Sequence, residues 1–262
     1  MEFTTIRLAV DRGVATLTLE RPRQRNAIDL AMRAELREAV ARLRSDAEIR
    51  AVVLTGAQGN FCAGGDIRSM QQRAPSVEQA RRRMRDSIDW AASLLTLDKP
   101  VVAAVDGAAY GAGFSLARAA DFIVATPAAR FCASFGRMGL IPDFGCHYTL
   151  PRRIGMARAR ELIYSAREVL ADEALALGIV YRLVPAETLV EEAAGLAGRF
   201  VDASPTAIGI SKTLLDQTYG MDLRQMLEAE SNGQAICFES EYHRDAVERF
   251  LNKQPLRLQW PT

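Results

Sequence analysis

The residues able to do chemistry in this chain are two glycine-rich turns and one carboxylate. The first turn is Ala63-Gly64-Gly65-Asp66, the second is Gly111-Ala112-Gly113-Phe114, and the carboxylate is Asp143 in Gly139-Leu140-Ile141-Pro142-Asp143. Glycine-rich turns after buried strands expose main-chain N–H groups, and a helix that starts there adds its positive dipole end. Two such turns from separate parts of a chain could converge on one carbonyl oxygen. Taken alone, each reads as a structural turn. Neither is a dinucleotide fingerprint, because Gly111-Ala112-Gly113 is followed by Phe114-Ser115-Leu116 with no third glycine in place, and neither is a Walker phosphate loop. Local sequence reads Asp143 as the N-cap of a helix through Tyr148.

Composition narrows the classes of partner. Lys plus Arg number 33 and Asp plus Glu 32, so the molecule as a whole offers no strong field to a nucleic acid or a membrane, and an anionic ligand must be caught locally. The cysteines Cys62, Cys132, Cys146 and Cys237 lie far apart, without zinc spacing or companion histidines, and read as free thiols in a reducing compartment. No metal site is expected. The first residues carry an acid and no apolar run of secretory length, and no stretch approaches the ~20 apolar residues of a spanning helix. A cytoplasmic protein is expected.

The elements that must position the turns follow from hydrophobic period. Residues 6–10 and 14–19 flank Asp11-Arg12-Gly13 as a hairpin. Leu36, Ala39, Val40 and Leu43 then recur at helical spacing, with Asp29 placed as N-cap. The apolar runs 51–55 and 101–105 each lead into one of the glycine turns, and their continuous apolarity predicts parallel strands buried on both faces. Residues 76–97 read as a helix with Met84, Ile88, Ala91 and Leu95 on the buried face. On that helix Arg81-Arg82-Arg83 with Arg85 reads as a solvated run, with phosphate binding as the alternative. After about Ala186 the strands cease, and residues 187–252 read as helices broken at Ser204-Pro205, near Gly220 and around Glu239-Ser240.

The segment from Phe61 to Ile67 and the segment from Lys99 to Gly113 together resemble the two oxyanion-hole motifs of the crotonase (enoyl-CoA hydratase/isomerase) superfamily, and the likeness continues through Gly139-Leu140-Ile141-Pro142-Asp143, residues 150–155 and residues 174–184. The resemblance implies an α/β fold, a spiral of β-β-α units over residues 1–203, with a helical region at 204–262 that packs on the core and on neighbouring subunits in a homotrimer or homohexamer. It implies that the N–H groups of Gly65 and Ala112 hold a thioester oxygen. It further implies that coenzyme A, as part of the substrate rather than as a separate cofactor, is bound by Arg25, Ala27, Ala63, Gly64, Gly65, Asp66 and Ile67, with Lys253 reaching its phosphates. The segment from Ser69 to Glu78 is expected to border the acyl pocket.

The resemblance also bears on the reaction. Hydratases of the superfamily use two glutamates, and this chain places Ser115 and Phe135 at those positions, one a poor base and the other unable to titrate. Relatives that move a double bond in enoyl-CoA, and ring-isomerising relatives, keep a single carboxylate at the place of Asp143. The expectation is therefore an enoyl-CoA isomerase with Asp143 as acid/base, its pKa raised in a dry site walled by Phe114, Phe135, Met138 and Phe144. Alternatives are an enoyl-CoA hydratase in which Asp143 activates water, an aryl-CoA dehalogenase, and an acyl-CoA-binding homologue without turnover. Asp66 reads as a helix cap, His147 as a candidate aid to proton transfer, and His243 has no assigned role.

Overall fold

The computed structural model describes residues 3–71 and 76–260. β1 (Ile6–Asp11) and β2 (Val14–Leu19) form the antiparallel hairpin, followed by a 3-10 turn at Pro22–Gln24 and α1 (Leu30–Ser45). Asp29 caps α1 by accepting a hydrogen bond from Met32 N–H. β3 (Ala51–Gly56) leads to the short α2 (Ile67–Met70) and the long α3 (Val77–Leu95). Next come β4 (Val101–Val105), β5 (Ala108–Tyr110), α4 (Ala112–Arg118), β6 (Phe122–Ala125) and β7 (Arg130–Cys132). A 3-10 turn at Ser134–Met138 precedes α5 (Cys146–Ile154), α6 (Met156–Ser165), β8 (Glu168–Leu170), α7 (Ala171–Ala176) and β9 (Arg182–Leu183). Helices α8 (Leu189–Gly198), α9 (Pro205–Gln217), α10 (Leu223–Phe238) and α11 (Glu241–Leu251) close the chain.

The larger sheet runs β1-β2-β3-β4-β6-β9, parallel from β2 onward, and β5-β7-β8 form a smaller second sheet. Successive residues of a strand face opposite sides. Val52, Leu54, Ala103 and Val105 accordingly join the main core with Met32, Leu36 and Leu43 of α1, while Val53, Val102 and Ala104 pack beneath Leu189, Ala193 and Leu196 of α8. Burial on both sides is what the continuous apolar runs predict.

The buried face of α3 is turned from the expected one. Ser87, Trp90, Ala91 and Leu94 face inward, whereas Met84 and Ile88 are exposed and Leu95 is partly buried. Trp90 sets this rotation by packing its ring 5.1 Å from that of Phe144. Arg81, Arg82 and Arg85 lie on the exposed side. The later helices break where proline, glycine and capping serines fall: Ser204 caps α9 with Pro205 in its first turn, and Ser240 caps α11. Many large apolar side chains of α9 to α11 remain open to solvent in the single chain, among them Leu215, Tyr219, Leu223 and Phe250. No described helix is long and apolar enough to cross a membrane.

Candidate active site

The two glycine turns lie side by side. Cys62 N–H donates to the Ala108 carbonyl and Tyr110 N–H donates to the Cys62 carbonyl, at 2.8 and 2.9 Å, so the start of the first motif pairs with β5 as a parallel bridge. Gly113 is required by this approach: a Cβ there would stand 2.3 Å from the Cys62 carbonyl oxygen. Gly64, at φ +100°, is held equally close, since its Cβ would meet the Tyr110 carbonyl at 2.8 Å. Gly65 follows directly, and Ala112 opens α4, where the first N–H groups of a helix have no partner within it. Neither the Gly65 nor the Ala112 N–H donates to a main-chain carbonyl among the described residues. Two such donors on adjoining turns are suited to an oxygen that gains negative charge.

The base of the first turn is braced by bonds that sequence reading did not foresee, and by Arg21, which it did not name. Asn26, fully buried, donates to the carbonyls of Ala57 and Asn60 and accepts from Arg21 N–H. The Arg21 guanidinium bridges Asp29 and Asp66 at 3.1 and 3.0 Å and also donates to the Ala27 carbonyl. Asp66 is a helix cap, as expected, accepting from Arg68 N–H and Ser69 N–H. Burial acts to raise its pKa, but the hydrogen bonds from Ser69, Arg21 and Arg68 outweigh it, and the net shift is downward. Arg25 has an exposed side chain, and its carbonyl accepts from Ala63 N–H; Ala27 is buried, and Ile67 is largely exposed beside the turn. The structure thus gathers residues 25, 27 and 63–67. Lys253 sits exposed beyond α11, and no described contact in this chain joins it to them. Residues 72–75 of the expected pocket border lie outside the described residues.

Asp143 is not a cap. α5 begins at Cys146 behind Gly145, and only the Asp143 carbonyl takes part in the turn, accepting from Cys146 N–H at 3.0 Å. The local pattern of Pro142-Asp143 suggested a cap, but Phe144 adopts a left-handed conformation, φ +48°, that turns the chain before the helix starts. Its chain neighbour Phe144 is buried and packs on Trp90, and the Oδ1 of the carboxyl is buried without a hydrogen-bond partner. Burial raises its pKa to about 6, opposed by the nearby Arg33 guanidinium. Phe114 and Phe135 are buried as expected, whereas Met138 is exposed and walls nothing. His147 is exposed on α5 without a hydrogen bond to Asp143, and His243 packs edge-on against Phe238.

Other buried polar atoms without a partner gather in the elements around Asp143: Arg33 Nε, Trp90 Nε1, Arg118 Nε and Nη1, and Thr149 Oγ1. Arg118, 2% exposed, is a cation in the apolar core of α4; burial, reinforced by Arg153, lowers its pKa to about 9. Its Nη2 donates to the Thr149 carbonyl at 2.6 Å. Sequence reading missed it, although a single charge within Phe114-Ser115-Leu116-Ala117-Arg118-Ala119-Ala120 is itself a signal. Burial raises the Cys62 thiol to about 12 and Cys146 to about 11, so neither supplies a thiolate at neutral pH. No cluster of metal ligands occurs among the described residues.

A family model described as enoyl-CoA hydratase/isomerase matches residues 9–260. The chain belongs to this family. The chain is 35% identical to a probable enoyl-CoA hydratase of Rhodobacter capsulatus over 97% of this chain and 98% of that one. It is 34% identical to the 1,2-epoxyphenylacetyl-CoA isomerase of Escherichia coli, over 97% of both chains. Among solved structures, an enoyl-CoA hydratase/isomerase from Cupriavidus metallidurans superposes with a TM-score of 0.94 at 36% identity, covering 100% of this chain and 99% of that one. The crotonase α/β fold follows from the same likeness, and the relatives include both named hydratases and a named isomerase.

Proposed function

We propose that this family member moves a carbon–carbon double bond in an acyl-CoA thioester, with Asp143 as its only acid/base. The observation that carries the reading is a carboxylate whose Oδ1 is buried without a hydrogen-bond partner and whose pKa burial raises to about 6, in a chain that carries no second carboxylate at Ser115 or Phe135. At neutral pH such a group is mostly ionised yet more basic than an ordinary carboxylate, which suits abstraction of a weakly acidic proton. The carboxylate takes the proton from the α carbon of a β,γ-unsaturated thioester; the C–H electron pair forms a double bond between the α carbon and the thioester carbon as the carbonyl π pair passes to the oxygen, and that pair moves into the α,β bond only when the γ carbon is protonated and the carbonyl re-forms. The N–H groups of Gly65 and Ala112 hold that oxygen, each contributing about 3–4 kcal/mol in the manner of known oxyanion holes. The same carboxyl then returns the proton to the γ carbon, leaving the α,β-unsaturated product. Coenzyme A enters as part of the substrate, along residues 25, 27 and 63–67, and the reaction as drawn calls for no further cofactor.

The test is turnover of 3-enoyl-CoA by the wild type and by Asp143→Asn. A loss of at least about a hundredfold, with the circular-dichroism spectrum unchanged, is expected. Undiminished isomerisation in the variant, or rapid conversion of 2-enoyl-CoA to the 3-hydroxy product by the wild type, overturns the reading, the second outcome in favour of a hydratase. We also propose that the exposed apolar faces of α9 to α11 pack against further copies of the chain as a homotrimer or homohexamer, which light scattering on the eluted protein measures directly.

A further inference from the structure

Gly64 is where the first turn meets the second. An added Cβ there would stand 2.8 Å from the Tyr110 carbonyl oxygen and 3.6 Å from the Ala112 nitrogen, so its backbone lies directly against the second turn. With φ at +100° and no side chain, Gly64 has nothing of its own to fix the two peptides that meet at its Cα. Groups from elsewhere fix them. Ile28 N–H donates to the Gly64 carbonyl at 2.7 Å. That carbonyl shares a planar trans peptide with the Gly65 N–H, so a bond that holds one end aims the other the opposite way.

The peptide on the other side of Gly64 is held by a side chain. Gly64 N–H donates to Cys62 Sγ at 3.4 Å, and the Cys62 thiol donates to the Gly64 carbonyl at 3.9 Å. A side-chain acceptor two residues before the N–H it receives is the arrangement by which serine and asparagine pin tight turns, and here a sulfur takes that place. The sulfur is itself held still. Cys62 is fully buried, its N–H and carbonyl both bond to β5, and a Cβ on Gly113 would stand 2.7 Å from its own Cβ. Burial pushes the thiol up to about 12, so it stays neutral and receives the N–H without acting as a nucleophile.

We propose that Cys62 is a positioning residue of the first oxygen-holding turn: by accepting the Gly64 N–H it fixes the torsions of Gly64, and with them the direction of the Gly65 N–H, while taking no part in bond making. The proposal rests on the role proposed above for the Gly65 and Ala112 amides and not on which reaction Asp143 performs.

Cys62→Ala removes the acceptor and Cys62→Ser restores one, and two measurements compare them with the wild type. The first is steady-state turnover of 3-enoyl-CoA. The second is the infrared carbonyl band of bound butanoyl-CoA, isotopically labelled at the thioester carbon, which moves to lower frequency as N–H groups polarise the bond. Cys62→Ala is expected to lower kcat about tenfold, less than removal of a whole donor would, and to leave KM within about threefold. It should also lose most of the downshift of the band, and Cys62→Ser should regain most of both. Should Cys62→Ala fail to fold, Cys62→Val and Cys62→Thr, alike in shape and different in the acceptor, are expected to divide in the same way. An alanine variant with the wild-type kcat and band overturns the proposal, as does a serine variant impaired as deeply as the alanine one. The band decides alone if 3-enoyl-CoA is not turned over. Failure of the underlying reading shows separately: an unshifted band in the wild type refutes the oxygen-holding amides, and no binding of butanoyl-CoA refutes the acyl-CoA reading, and either takes the role of Cys62 with it.

Discussion

Asp66 and Asp143 are two aspartates of the candidate site, each with an arginine near, and they have opposite fates. Asp66 touches its arginine, accepts two main-chain N–H bonds and is held below the ordinary carboxylate range. Asp143 is kept off its arginine, accepts nothing at Oδ1 and is raised to about 6. The residue type is the same and the burial of both is substantial, so hydrogen-bond satisfaction decides between them. A satisfied carboxylate stabilises the fold and has little proton affinity to offer; an unsatisfied one costs stability and retains it.

The same substitution at the two sites should therefore differ in size on turnover and in sign on stability. In turnover, Asp143→Asn is expected to lose a hundredfold or more, whereas Asp66→Asn, which keeps an oxygen for the α2 cap, should lose less than about tenfold. Comparable losses in steady-state assays would erase the distinction. In stability, the folded pKa of Asp143 lies above its unfolded value, so ionisation is penalised in the folded protein; the penalty is complete above pH 6 and vanishes as the pH falls toward 4. Asp143→Asn should accordingly stabilise the protein by up to roughly 3 kcal/mol at pH 8, with the gain gone at pH 4, as read from urea unfolding.

Asp66 has the reverse sign. Its folded pKa is depressed, so its contribution is present above the unfolded value near 4 and is lost as the pH falls through the lower folded value. Asp66→Asn should destabilise by about 1 kcal/mol at pH 7 and less at pH 3. The smallest expected effect is on the wild-type pH profile. The value of kcat/KM should decline below about pH 6, as protonation removes the base, and a profile flat to pH 4.5 would place the working group elsewhere.

Much of the frame could be read before any coordinates. The apolar runs at 51–55 and 101–105 required a sheet covered on both faces, and the caps at Asp29, Asp66 and Ser204-Pro205 are local hydrogen-bond chemistry that a few residues specify. The glycine turns were legible as turns, but the demand for glycine at 113 comes from Cys62, far away in sequence. The inward role of Arg21 was hidden because Arg21, Arg23 and Arg25 alternate through one loop, and only the folded chain turns the first inward and leaves the other two exposed. The buried face of α3 was misread for a related reason: Met84 and Ile88 satisfy a helical period whether or not their stripe meets this chain's core. Arg33 near Asp143, Trp90 on Phe144 and Arg118 on Thr149 come from three helices to the segment 143–149, and no window of sequence contains that convergence.

The contact between Gly113 and Cys62 carries a consequence for anyone altering this protein. Neither residue has a reactive part in the proposed chemistry, yet their close approach holds together the two turns whose amides we propose to hold the oxygen. A single methyl group at position 113 would act as a wedge, leaving every reacting group in place and detuning the cradle they depend on.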